Sequence, residues 1–168
     1  MNDLNINLNK KLTGKEFYEY KLYLLVRNDL PSMNTGKAIA QAAHAANQFI
    51  FEHGTNPHVK RWQSEGIGFG TTITLSVNMV QLDSAINTNK AIYKNSAFRG
   101  IVTDTTYPYI VNTEIYDLLD INHHSGTSIV KPNGDVVCFR NEDTCGYIFV
   151  VNGSDAQREL TSELNLYP

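Results

Sequence analysis

Cysteine is scarce in this sequence, because Cys138 and Cys145 are the only two among 168 residues. A scaffold held together by disulfides needs several pairs in a short chain, so that class of protein is excluded. We expect both thiols to be ordinary reduced residues.

Long apolar runs are also absent. No stretch approaches the roughly 18 apolar residues that a membrane-spanning helix needs. Residues 1–12 are rich in asparagine and lack the continuous apolar core of a secretion signal. We therefore expect a soluble, cytoplasmic protein with no membrane partner.

Charged residues are few, at 18% of the chain, and the formal net charge is -3. Proteins that clamp long stretches of nucleic acid are usually basic, because phosphate neutralisation supplies most of the affinity. A net charge of -3 therefore favours a local basic site over a broad basic surface.

The hydrophobic content of 42% is enough for the core of one compact domain. We expect a polar arm over residues 1–20 and a single α/β domain over 21–168.

Hydrophobic periodicity predicts strands that alternate with helices, which is typical of an α/β layer fold with a mixed or mostly parallel sheet. Asn34 or Thr35 can cap the first helix, and Asp104 is expected just past the end of the third strand. The predicted strands are 21–27, 70–78, 98–103 and 146–151, and the predicted helices are 36–53, 81–96 and 153–164, with a short helical turn at 58–64.

The segment after Asp104 fits this alternation poorly. Lys131-Pro132-Asn133-Gly134 is a strong hairpin turn. Residues 128–130 and 135–139 would be the paired strands on either side of it. We predict an inserted β-hairpin at about 108–145.

The first predicted helix carries Lys37, Gln41 and His44 at spacings i, i+4 and i+7, so the three side chains line one face. Lys37 falls in the first turn, where free backbone N–H groups and the helix dipole already favour anions. A bound anion is a natural reason for a cation at that position. The spacing alone leaves two interpretations open, an anion-binding site or a solvated polar face.

This part of the chain resembles the opening of the type II peptidyl-tRNA hydrolases. The run Leu24-Leu-Val-Arg27-Asn28-Asp29-Leu30 is followed by a short loop and by Gly36-Lys37-x-x-Ala40-Gln41-x-x-His44-Ala45. Lys60-Arg61-Trp62, Val102-Thr103-Asp104 and the terminal Leu164-Asn165-Leu166-Tyr167 are similar to later motifs of that family. The resemblance covers roughly residues 21–104 and 146–167.

The resemblance implies a mixed sheet of about four strands flanked by helices, commonly in a homodimer. It also implies hydrolysis of the ester that joins a peptide to the 3′-terminal ribose of tRNA, with no metal or cofactor. Lys37 would hold phosphate or stabilise developing negative charge, and Gln41 would orient the carbonyl or the attacking water. Asp104 would position or deprotonate that water. His44 is expected to support the site, and a structural histidine under the sheet is the alternative.

Six further residues are predicted to bind substrate. Arg27 either contacts phosphate or forms an ion pair with Asp29 that shapes the loop between them. The complete set is Arg27, Asn34, Thr35, Thr105, Thr106 and Tyr107.

The sequence departs from the family pattern after Asp104. The family continues with a small-residue turn and then an Arg-Thr pair whose threonine belongs to the active site. Here Thr105-Thr106-Tyr107-Pro108 follows, so Thr105 or Thr106 would have to supply the hydroxyl from a shifted position.

This departure keeps a second function open. The alternative is a repurposed domain that binds or cleaves a small nucleotide signal, of the cyclic dinucleotide or ADP-ribose type, for example in a viral anti-defence protein. His123 and His124, with Tyr107 and Tyr109, would then supply stacking and proton-transfer groups. Adjacent residues on a strand point to opposite faces, so we do not expect the two histidines to share a zinc ion.

Overall fold

The computed structural model describes residues 18–87, 98–111, 128–152 and 164–168. Within these ranges the chain forms three helices and a sheet of six strands. In chain order the elements are β1 (Tyr20–Arg27), α1 (Thr35–His53), α2 (Pro57–Glu65), β2 (Thr72–Val77), α3 (Met79–Asn87), β3 (Phe98–Val111), β4 (Ser128–Val130), β5 (Val136–Val151) and β6 (Asn165–Leu166).

The sheet is mixed, as predicted. Its strand order is β3-β5-β1-β2-β6, and β4 pairs with the first residues of β5. β1 and β2 are parallel, whereas the other pairs are antiparallel. The four longer strands (β1, β2, β3 and β5) contain the four that were expected, and the short strands β4 and β6 bring the number to six. The prediction that the last strand begins at residue 146 is wrong, because β5 starts at Val136 and joins the predicted strands 135–139 and 146–151.

Both faces of β1 are buried, which explains its nearly continuous apolar sequence. Leu22, Leu24 and Val26 belong to a core cluster under α1 and α2, and Tyr23 and Leu25 belong to a second cluster under α3. Because successive strand residues point to opposite faces, one strand supplies both clusters. The sheet is therefore covered by helices on both sides.

The prediction for the third strand is wrong. β3 does not end at residue 103, because it continues to Val111 and pairs with β5 beyond Asp104. The register shifts between Val102 and Thr103 and again between Asp104 and Tyr107. Asp104 therefore lies at a bulge inside a long strand, where irregular pairing can re-aim a side chain. The residues after the aspartate are mostly β-branched or aromatic, which favours continuation of the strand.

The predicted hairpin is present in the described residues. Ser128–Val130 pairs with Val136–Cys138, and the turn between them is closed by a hydrogen bond from Gly134 N to Lys131 O at 2.9 Å. Gly134 has φ of 89°, which is a conformation that glycine adopts readily. That this hairpin is an insertion relative to the family stays a prediction.

Several sequence predictions fall on other parts of the chain. The arm up to residue 17, the second half of the helix predicted at 81–96, most of the closing helix at 153–164, and His123 and His124 lie outside the described residues. The two cysteines are both free and buried, which agrees with the expectation of reduced thiols. None of the helices in the described ranges is long and apolar enough to cross a membrane.

Candidate active site

The orientation of α1 is set by its apolar side and by its N-terminal cap. Ala38, Ala45 and Phe49 are buried against the sheet. Asn34 caps the helix, because its Oδ1 accepts a hydrogen bond from Lys37 N at 3.0 Å. The predicted substrate-binding oxygen of Asn34 is therefore engaged by the helix itself, and the polar face of α1 is directed toward β3.

Lys37 lies against the middle of β3. Its Nζ donates to the backbone oxygen of Pro108 at 3.0 Å and stands 5.0 Å from the centre of the Tyr107 ring. The hydroxyl of Ser32 donates to the same Pro108 oxygen at 2.8 Å. Burial lowers the pKa of Lys37, and the positive charge of Lys131 lowers it further.

Gln41 links α1 to the bulge of β3. Its side chain is 3% exposed, and its Nε2 donates to Asp104 Oδ2 at 2.7 Å. The hydroxyl of Thr144, which is fully buried on β5, donates to Gln41 Oε1 at 2.5 Å. Because an ionised carboxylate only accepts and only the amide nitrogen donates, the contact with Asp104 fixes which end of the Gln41 side chain faces it, and the Thr144 hydroxyl then donates to the other end.

Asp104 is held at both carboxylate oxygens. Oδ2 accepts from Gln41, and Oδ1 accepts from the backbone N of Thr106 at 2.9 Å and from its hydroxyl at 3.1 Å. Burial raises the pKa of Asp104, but the hydrogen bonds from Gln41 and Thr106 and the nearby His44 outweigh it, so the pKa lies below its ordinary value of 3.8. Asp104 is therefore an oriented, ionised carboxylate and a weak base at neutral pH.

His44 completes the predicted polar face. Its Nδ1 lies 4.0 Å from Asp104 Oδ2, and its side chain is 49% exposed. The alternative of a structural histidine under the sheet is therefore wrong. Lys37, Gln41 and His44 all face the segment of β3 between Asp104 and Pro108, so the structure brings together the four residues that the sequence singled out for catalysis.

Arg27 is buried and belongs to a separate, partly exposed ion-pair cluster. Its Nε and one terminal nitrogen donate to the carboxylate of Asp29, and its other terminal nitrogen donates to Glu142 Oε1 at 2.5 Å and to the backbone oxygen of Asp143. Glu142 also accepts hydrogen bonds from Tyr109 and Arg140. Arg27 was expected either to contact phosphate or to pair with Asp29, and the structure shows the ion pair with Asp29.

The remaining predicted substrate contacts are dispersed. Thr105 and Thr106 are exposed beside Asp104. Tyr107 is fully buried, with its hydroxyl toward the sulfur of Met33, so its ring supports Lys37 instead of offering a free face. Thr35 lies on the other flank of α1, where it lines a largely apolar groove of about 300 Å³ with Ile39.

Thr144 was not among the site residues predicted from the sequence. Its hydroxyl orients Gln41 across 103 residues of chain. The available signal was weak: a threonine two residues before the predicted last strand. Thr144 is the extra residue on β5 at a register shift, between Cys145, which pairs with Val102, and Asp143, which pairs with Thr103, and no local sequence pattern shows that shift.

Comparison with known proteins gives one family match. A family model described as peptidyl-tRNA hydrolase PTH2 matches residues 20–94. The matched range contains Lys37, Gln41 and His44, whereas Asp104 and Thr144 lie beyond it. No curated protein matches the chain.

Proposed function

A family model of the type II peptidyl-tRNA hydrolases matches residues 20–94, and on that premise we propose that the chain hydrolyses the ester between a peptide and the 3′-terminal ribose of tRNA. The observation that carries the proposal is the contact between Gln41 and Asp104 at 2.7 Å, with Lys37 one helical turn away on the same face. The family match alone supports a peptidyl-tRNA hydrolase-like function, and this cluster is the site that we propose for it.

Ester hydrolysis needs an oriented water and a stabiliser for the negative charge that develops on the carbonyl oxygen. Lys37 supplies the cation. Its ammonium group is partly buried and is held by Pro108 O, so it stabilises an anion more strongly than a fully solvated lysine does. The same group can hold a phosphate of the tRNA, and both roles require the charge.

Asp104 is proposed to position the attacking water. A carboxylate whose pKa lies below the ordinary value takes up a proton poorly, so orientation and electrostatic stabilisation are its stronger contributions. His44, half-exposed and 4.0 Å from Asp104, is close enough to support that carboxylate and still reach solvent. Gln41 is proposed to hold the Asp104 carboxylate in one orientation throughout the catalytic cycle.

The second function considered above, binding or cleavage of a small nucleotide signal, is not favoured by any specific observation. Two of its residues, His123 and His124, lie outside the described residues, and Tyr107 is buried. Assembly as a homodimer stays a prediction from the resemblance, and a cytoplasmic location stays a prediction from the sequence.

The test is release of a labelled, N-blocked amino acid or peptide from tRNA by the purified protein. We expect release well above a protein-free blank. Asp104→Asn and Lys37→Ala should each lower kcat/KM by about 100-fold or more, since each removes a charge aimed at the reacting ester.

Two exposed residues offer matched controls. Asp83→Asn on α3 and Lys60→Ala on α2 make the same chemical changes away from the cluster and should leave kcat/KM near wild type. Circular dichroism would establish that all four variants are folded. Folded wild-type protein that releases nothing above the blank would refute the proposed activity.

A further inference from the structure

Ser32, in the loop before α1, shares a hydrogen-bond acceptor with Lys37. Its hydroxyl donates to the backbone oxygen of Pro108 at 2.8 Å, and the Lys37 ammonium donates to the same oxygen at 3.0 Å. A further hydrogen bond links Ser32 to the Tyr107 hydroxyl. A single oxygen atom therefore already touches both donors, so the space between Ser32 and Lys37 fits an oxygen.

The two side chains differ in the number of donors that they offer. An ammonium group has three N–H donors, and Pro108 O is the only hydrogen-bond partner of the Lys37 ammonium among the described residues. A serine hydroxyl has a single O–H, and that of Ser32 is bonded to Pro108 O. Lys37 can thus bind a ligand oxygen while it keeps Pro108, whereas Ser32 must rotate its hydroxyl from one acceptor to the other.

This exchange favours a ligand oxygen that carries negative charge. Hydrogen bonds to ionised acceptors are about twice as strong as those between neutral groups. Ser32 therefore gains little when it leaves Pro108 O for a neutral ester carbonyl, and it gains more when it leaves for an oxyanion. Ser32, Lys37 and Pro108 are each partly exposed, so a ligand can reach them. None of the ion pairs between described residues includes Lys37.

We propose that Ser32 is a further catalytic residue, which together with Lys37 binds the negatively charged oxygen that forms when water adds to the ester carbonyl. The inference rests on the proposed function, in which Lys37 stabilises that charge. As the water oxygen bonds to the carbonyl carbon, an electron pair of the carbonyl moves onto its oxygen. It returns when the bond to the ribose oxygen breaks. One proton of the water goes to the ribose oxygen and the other to solvent, which leaves a carboxylate on the peptide.

This role predicts an effect on kcat and not on KM, because Ser32 stays bonded to Pro108 O until the carbonyl oxygen of the substrate becomes charged. Ser32→Ala should lower kcat about 100-fold, the scale of one lost oxyanion donor, with KM near wild type. Ser32→Thr keeps the hydroxyl and should retain most of the kcat. Release of labelled peptide from tRNA measures each protein.

Ser64→Ala is the matched control, because the Ser64 hydroxyl also donates to a backbone oxygen, that of Arg61, at 2.8 Å. Ser64 is exposed near the end of α2, on a different helix from Lys37. Its replacement removes the same kind of hydrogen bond and should leave kcat at the wild-type value. Circular dichroism would establish that all the variants are folded.

Two unreactive substrate analogues test the same contact without catalysis. Both are nucleosides that carry a blocked amino acid at the 3′ position. One is joined through an amide, which keeps a neutral carbonyl, and the other through a tetrahedral phosphonate, which has a negatively charged oxygen where the oxyanion forms. In isothermal titration calorimetry, Ser32→Ala should weaken phosphonate binding about tenfold or more, the scale of one hydrogen bond to a charged group, and should leave amide binding unchanged. Neither analogue contains a phosphodiester, so a contact between Ser32 and the tRNA backbone cannot produce this difference.

Equal kcat for wild type and Ser32→Ala would overturn the proposal. A rise in KM at constant kcat would do the same, since Ser32 would then bind the substrate before it reacts. A Ser32→Thr variant that is as slow as Ser32→Ala and binds the phosphonate as weakly would show that the hydroxyl is not the group that matters, and would also overturn it.

The binding assay separates this proposal from the hydrolase activity. Wild-type protein that binds the phosphonate through Ser32 but releases no peptide would retain the oxyanion site and refute the hydrolase. Wild-type protein that hydrolyses the ester while Ser32→Ala is equally active would refute the role of Ser32 alone. Protein that neither hydrolyses the ester nor binds the phosphonate would refute both.

Discussion

Gln41 shows how a single buried side chain can organise this cluster. Its amide is held at both ends, by the Thr144 hydroxyl at the oxygen and by the Asp104 carboxylate at the nitrogen. If the amide turned over, its oxygen would face the Asp104 carboxylate and that hydrogen bond would be lost, whereas the Thr144 hydroxyl could still accept from the amide nitrogen. Thr144 therefore acts through Gln41 on Asp104, and we regard it as a positioning residue.

We predict that Thr144→Val, which keeps the shape and removes the hydroxyl, lowers kcat about 10- to 100-fold with little change in KM. The physical reason is that a small displacement of a reacting group is enough to lower the rate by such a factor. The same variant should lose about 1–3 kcal/mol of unfolding free energy in urea, because the Gln41 carbonyl is left buried without that hydroxyl donor.

Thr144→Ser is the control for this prediction, since it restores the hydroxyl and should recover most of the kcat. A serine variant as slow as the valine variant would show that the methyl group, and not the hydrogen bond to Gln41, is what matters. A valine variant that loses stability but keeps the wild-type kcat would show a purely structural role.

At the scale of elements, α1 combines an apolar face and a polar face, and both can be predicted from the sequence. Ala38, Ala45 and Phe49 pack on the sheet, and polar residues recur every three or four positions along another side. That periodicity is local, so the helix, β1 and three of the four catalytic candidates could be predicted from the sequence.

β3 and the cluster around it could not be predicted as well. The position of Asp104 depends on two register shifts against residues 140–145 of β5, and pairing between strands so distant in the chain leaves no local pattern. The same long-range pairing determines the neighbours of Thr144 and the burial of Tyr107. Sequence therefore predicted which residue types lie near the site, but not the length of β3.

The N-terminal end of α1 carries Lys37 and depends on its cap. We predict that Asn34→Ala lowers the unfolding free energy by about 1 kcal/mol, because the N–H of Lys37 loses its side-chain acceptor. Asn34→Asp should retain the stability, since its carboxylate also accepts this hydrogen bond and is favoured near the helix N-terminus. Urea unfolding followed by circular dichroism measures both.

The neighbouring Thr35 supplies the comparison for the cap. Thr35→Ala truncates an exposed side chain one residue along, outside the capping bond, and should change the unfolding free energy by less than about 0.5 kcal/mol. Equal losses for Asn34→Ala and Thr35→Ala would mean that the side chain of Asn34 does not hold the helix end.

For the whole molecule, the main concentration of described charge is the cluster of Arg27, Asp29, Arg140 and Glu142. It joins the end of β1, the loop after it and the middle of β5. The Arg27 side chain is 9% exposed and that of Glu142 is 15% exposed, so this pair is screened less by solvent than a surface pair is. Removal of one partner would leave the other charge buried.

From the lowered pKa values of the carboxylates in this cluster, we predict that the protein loses stability in acid. Burial raises the pKa of Asp29 and of Glu142, but hydrogen bonds from Arg27 to both, and from Tyr109 to Glu142, outweigh burial and hold each pKa below its ordinary value of 3.8 or 4.5. As the pH falls below about 4.5, the unfolded chain therefore takes up protons before the folded chain does. These two carboxylates should therefore make the unfolding free energy fall through that range. Urea unfolding at several pH values between 7 and 3 would measure it.

Glu142→Gln isolates the cause, because glutamine keeps the size and loses the charge. At pH 7 it should cost about 2 kcal/mol, since Arg27 then lacks one of its two carboxylates. Below pH 4 its stability should fall less steeply than that of wild type, so that the two curves converge, while Asp83→Asn on the exposed side of α3 should follow wild type throughout. If wild type and Glu142→Gln lost stability in parallel down to pH 3, the ion pair between Arg27 and Glu142 would not be the source of the acid sensitivity.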